Sequence, residues 1–154
     1  FMDNLFLNVW PSKPDGINGS ERIENVPELS KTLKVCAALR AQFLPYFTDG
    51  RLIGNCVLSE LSPGVRLSAY VLPDRVLAIV LNEGAAGPVS FRYDLAPWVA
   101  GHGRFQQTQF DESGRRLNSV EMPASGTLRT ANLRHLEMTV VEFVAGKALA
   151  PARQ

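Results

Sequence analysis

Histidine and cysteine are scarce in this chain of 154 residues, with two of each, and that scarcity limits the chemistry it can host. Cys36 and Cys56 form no CxxC pair and have no metal-ligand spacing. They read as two free thiols buried among apolar neighbours, one on a helix and one on a strand, because free Cys behaves as a small hydrophobe. His102 stands between Gly101 and Gly103 and reads as a loop residue. His135 precedes the last predicted strand, in a capping or surface role. Neither has a nucleophile beside it in sequence, and two distant histidines make a poor metal site. No metal or cofactor is expected.

Other signatures are missing as well. There is no Gly-x-Ser-x-Gly elbow, no phosphate loop and no dinucleotide fingerprint. No apolar run approaches the roughly 20 residues that span a bilayer, so no membrane partner is expected. Residues 1–10 lack the basic start and small-residue cleavage site of a signal peptide. The formal charge is +1 and the one adjacent basic pair is Arg115-Arg116, which gives no reason to expect nucleic acid. The chain opens on Phe-Met, an opening that suggests a piece of something longer.

What is present suffices for a core. With 45% hydrophobic and 20% charged residues, the chain is one ordinary domain's worth that folds without staples. Residues 4–9 read as a short strand, and 10–24 as a loop rich in turn residues, with Pro11, Pro14 and Asp15-Gly16. A helix follows. Asn25 and Glu28 make a capping-box pattern, and Pro27 suits a first turn. Leu29, Leu33, Cys36, Leu39, Phe43 and Phe47 recur at three- and four-residue steps as one apolar stripe. Pro45 predicts a stop or kink near Leu44.

Past Gly50 the pattern is strands, expected at 52–58, 66–72, 75–82, 89–95, 104–110, 115–121, 126–130 and 136–144. Residues 76–81 are apolar on both parities, which predicts a central strand covered on both faces. In 89–95, Val89, Phe91, Tyr93 and Leu95 share one face, while Ser90, Arg92 and Asp94 share the other. Strands at this spacing argue for an antiparallel β-sandwich, preceded by a short strand and one long α-helix. The expected division is 1–50 for the strand–loop–helix segment, 51–146 for the sandwich and 147–154 for a frayed tail. The helix stripe must be buried somewhere, either on the sandwich or against a preceding domain.

The carboxylates Asp15, Glu21, Glu24, Glu60, Asp94, Asp111 and Glu112 stand in no pattern that pairs an acid with a base, and structural roles are expected for them. No catalytic residue is assigned. The 10–16 segment is more informative. Trp10 can stack on a sugar ring, and Lys13, Asp15 and Arg22 can hydrogen-bond hydroxyls, if the strand before them ends at the active-site face of a (β/α) barrel. The competing reading is a proline-stiffened surface loop with Trp10 tucked into the core.

The order strand, loop, helix 26–47 with its Leu39-Arg40-Ala41-Gln42-Phe43-Leu44-Pro45-Tyr46-Phe47 run, then an all-β tail resembles the carboxyl end of glycoside hydrolases of the α-galactosidase-like barrel type. The runs 76–82, 89–95 with Trp98 after it, and 136–144 are similar to strands of their terminal sandwiches. The resemblance implies a last barrel helix followed by a non-catalytic sandwich, the catalytic carboxylates lying on earlier barrel strands. The missing N-terminal catalytic domain is then the expected partner, with carbohydrate a further candidate. A free-standing carbohydrate-binding or protein-interaction module is the alternative. An exposed helix stripe would also favour self-association.

Overall fold

Strand β4 (Arg75–Asn82) shows how the chain is built. Val76 through Val80 are buried without a break, because β4 lies inside a sheet covered on both sides. The computed structural model describes residues 1–3 and 27–146. The first sheet has six strands in the order β1-β3-β4-β9-β6-β7. Besides β4 these are β1 (Arg51–Gly54), β3 (Val65–Leu72), β6 (Arg104–Phe110), β7 (Arg116–Pro123) and β9 (Met138–Ala145). The second has three, β2 (Leu58–Leu61), β5 (Gly87–Asp94) and β8 (Ser125–Leu133), in the order β2-β5-β8. Every pairing is antiparallel. The two sheets form a β-sandwich.

Its interior follows the alternation of the strands. Val89, Phe91 and Tyr93 of β5, with Leu95 just beyond, face inward, while Arg92 and Asp94 face out. They pack against Leu67, Ala69, Val76, Ala78, Val141 and Phe143 of the larger sheet. The opposite face of that sheet is apolar too, and helix covers it. Helix α1 (Pro27–Gln42) breaks at Phe43 and resumes as α2 (Leu44–Thr48), with Pro45 in its first turn. Leu39, Phe43, Tyr46 and Phe47 pack on Tyr70, Leu77, Ile79 and Val140. Phe43 meets Phe110 edge-on at 5.1 Å, and Phe47 lies 5.0 Å from Tyr70. The stripe is therefore buried on the sandwich at its C-terminal half, whereas Leu29, Leu33 and Cys36 are only half-buried.

Residues 1–3 belong to this layer. Met2 is buried in the helix-side cluster, and the Tyr70 hydroxyl donates to its carbonyl at 2.6 Å. Asp3 accepts from the Ser68 hydroxyl and from Arg66 Nη2, the latter at 2.7 Å.

Two expectations are corrected by the structure, and three others fall on residues it does not describe. The single strand expected at 52–58 is two strands in different sheets, β1 and β2, joined by a turn after Gly54, whose φ is +58°. Cys56 sits in that turn, exposed rather than buried on a strand, and Cys36 is half-buried; both thiols are free. The expected strand at 4–9, the Asn25 cap and the tail at 147–154 lie outside the described residues.

Candidate functional site

The residues singled out for sugar contact, Trp10, Lys13, Asp15 and Arg22, lie outside the described residues, as do Glu21 and Glu24. Two concave surfaces stand out among the described residues. The first is a basin of about 280 Å³ on the three-stranded sheet, lined by Glu60, Ser62, Ser90, Arg92 and Thr127 over Leu61 and Phe91. Strand alternation puts Ser90 and Arg92 there by turning Phe91 into the core. Its polar groups are largely engaged with one another: Ser62 Oγ donates to the Ser90 carbonyl at 2.8 Å, and Arg92 Nη1 reaches Glu60 Oε1 at 3.3 Å.

The second is a cleft of about 270 Å³ between the first turns of α1 and the β8–β9 loop. Glu28, Lys31 and Thr32 form one wall, Glu112 and residues 134–138 the other. Asn82 builds that loop. Its Nδ2 donates to the carbonyls of Ala85 (2.9 Å), Leu133 (3.2 Å) and Arg134 (3.3 Å), and its Oδ1 accepts from Gly84 N at 3.1 Å. The loop holds Leu136 in the left-handed region at φ +61°, with 62% of its surface exposed. Arg134 bridges Glu137 at 3.2 Å and Glu112 at 3.5 Å. His135 Nδ1 lies 3.1 Å from the Gly84 carbonyl, and His102 Nδ1 the same distance from that of Gly146.

The electrostatics are those of structural carboxylates. The hydrogen bond from Ser68, assisted by Arg66, holds Asp3 below the usual carboxylate range, and the guanidinium of Arg75 does so for Asp74. Burial raises Asp111, but hydrogen bonds from Ser113 and Arg115 outweigh it and the net shift is downward. The backbone N–H of Arg134 lowers Glu137. A glycosidase acid needs the opposite, a carboxyl held neutral near neutral pH. Asp94 Oδ1 accepts from Ala96 N at 3.1 Å, an ordinary turn contact.

Sequence reasoning passed over the pairing of Tyr46 with Glu142, whose Oε1 accepts from the phenol at 2.7 Å. Burial first, then the Glu142 charge, raises the Tyr46 phenol far above its ordinary value, so it remains a proton donor in a hydrogen bond. The alternation of 136–144 puts Glu142 on the helix-facing side and could have flagged it. The half-buried Trp98 lies under the Arg51 guanidinium at 5.4 Å, packed against the core. Among the described residues no group of three or more His, Cys, Asp or Glu is placed to hold a metal ion. No described helix is long and apolar enough to cross a membrane.

No family model matches this chain, and no curated protein matches it. Among solved structures, it is similar to a GH30 endoxylanase from Clostridium papyrosolvens. The likeness has 13% identity and a TM-score of 0.42, and covers 55% of this chain. This chain spans 21% of that enzyme's chain. A likeness of that extent assigns neither activity nor substrate.

Proposed function

We propose that this chain is the non-catalytic C-terminal β-sandwich region of a larger carbohydrate-active enzyme of the glycoside hydrolase kind. The observation that carries the reading is the way the helix leads into the sandwich. The Leu39–Phe47 run that resembles a last barrel helix packs its aromatic end on the outer face of the six-stranded sheet. Its other end keeps Leu29, Leu33 and Cys36 half-buried, an apolar margin suited to a preceding domain. On this reading residues 1–50 belong to the end of a (β/α) barrel and 51–146 form the appended sandwich. The partner is the N-terminal catalytic domain, which carries the acid and the nucleophile or base. Trp10, Lys13, Asp15 and Arg22 then contribute sugar contacts at the barrel face. The described carboxylates fit a supporting role, since those with displaced pKa values are all held ionised.

A free-standing carbohydrate-binding module is the second reading, favoured by the basin over Ser90, Arg92 and Thr127. Titrating the isolated chain with xylo-, cello- and galacto-oligosaccharides, followed by tryptophan fluorescence, separates the two. The first reading predicts dissociation constants of about 1 mM or weaker, worth roughly 4 kcal/mol. Micromolar binding that survives removal of the 10–22 contacts would establish the second in its place.

A further inference from the structure

We infer that β7 is the contact strand of a two-fold homodimer, pairing antiparallel with β7 of a second copy so that the six-stranded sheets run on into one another. Among the described residues the sandwich leaves four strand edges, and three are short or attended. β1 and β2 have four residues each and an irregular register. The long edge strand β8 has its Arg129 carbonyl met by Gln109 Nε2 at 3.4 Å. β7 is eight residues long and exposed at every position except the half-buried Met122. It carries Leu117 and Val120, 41% and 45% exposed, while the helices pack on β3, β4, β9 and Phe110 of β6, one strand short of it. An edge of this length that no other described strand pairs is a template for another strand.

The sequence of β7 is self-complementary in one register. A two-fold axis perpendicular to the sheet must pair a residue with itself, because only then do opposed side chains share a face. The bulge in β7 sets Arg116 opposite Phe110 and Asn118 opposite Gln109, so Arg116 shares the helix-side face with Ser119 and Glu121. With Ser119 on the axis, Arg116 of each copy comes opposite Glu121 of the other. Two cross-strand ion pairs form, and Asn118 meets Val120 on the inner face. No ion pair of Arg116 occurs among the described residues, while Glu121 bonds Arg104 and has a second oxygen to offer. The contact is small, below about 1,200 Å² in total, which places the dimer in the transient, micromolar class.

Sedimentation equilibrium on the full chain from about 5 to 300 µM, spanning that affinity class, tests the inference with two exposed-site variants. Wild type should dimerise reversibly. Arg116→Glu and Glu121→Arg should each weaken dimerisation at least tenfold, since like charges then oppose. An equimolar mixture of the two variants should recover dimers, because only the mixed pair restores both ion pairs. Circular dichroism of each variant controls for folding. A wild type monomeric at 300 µM, variants that dimerise like wild type, or a mixture that stays monomeric would each overturn it. The result is independent of whether the parent cleaves sugars.

Discussion

At the scale of single residues, the β8–β9 loop is where side-chain identity matters most. Asn82 is 3% exposed and ties the β4–β5 turn to the β8–β9 loop. Asn82→Ala removes the Nδ2 donor from the buried Leu133 carbonyl and the part-buried Ala85 and Arg134 carbonyls, of which the last keeps the Glu137 N–H, so urea denaturation should show a loss of about 2 kcal/mol. Leu136 has the opposite character. Its left-handed backbone crowds a Cβ that contributes little packing at that exposure, and the conformation costs about 1 kcal/mol. Leu136→Gly should raise stability by about 0.5 kcal/mol once the added freedom of the unfolded chain is set against the relieved strain. A lower melting temperature for this variant would show that the leucine side chain has a use the loop geometry does not reveal. The carboxylates dictate the acid limb. Asp3, Asp74, Asp111 and Glu137 all titrate lower in the folded state than in the unfolded chain. Their contribution is complete above the unfolded value near 4 and is lost as pH falls through the depressed folded values. Stability should thus be flat from pH 7 to about 5 and decline below about 4, with Asp111→Asn shallowing the decline.

Among the elements, the helical layer divides into a bound and a loosely held half. Phe43 fills the break between α1 and α2 and touches Phe110, so Phe43→Ala should cost about 3–4 kcal/mol. Leu29→Ala, at the half-buried end, should cost under about 1 kcal/mol. Amide exchange read by mass spectrometry should therefore show the 27–35 stretch opening well before 39–47. Equal protection along α1 would mean that its N-terminal turns are covered by something other than the sandwich. Tyr46 links α2 to β9 through Glu142, and Tyr46→Phe removes the phenol and leaves Glu142 without that donor. A loss of about 1–2 kcal/mol is expected for a hydrogen bond to a charged acceptor.

For the whole molecule, the architecture was legible where burial enforces a period. The 89–95 alternation became β5 with each parity on its expected face, and the two-sided apolar run 76–81 became the covered strand β4. The Pro45 break in the helix followed from one missing N–H. The 52–58 stretch misled because Leu52, Ile53, Cys56 and Val57 are apolar enough to read as one strand. The signal that divides them is Gly54-Asn55, a turn dipeptide whose glycine supplies the positive φ. Sheet membership was not legible, since pairing over long sequence separations is decided by how whole faces cover one another. Nor did strand patterns foretell that Arg134 would reach Glu112, because the β6–β7 and β8–β9 loops meet only in the fold.

The reading frame around this segment tests the central claim most directly, by sequencing the transcript on its 5′ side. A frame that continues upstream for a few hundred residues of alternating strand and helix patterns, with a carboxylate pair on its barrel strands, is the predicted result. An initiation codon immediately before Phe1 would contradict it and leave a small sandwich acting alone.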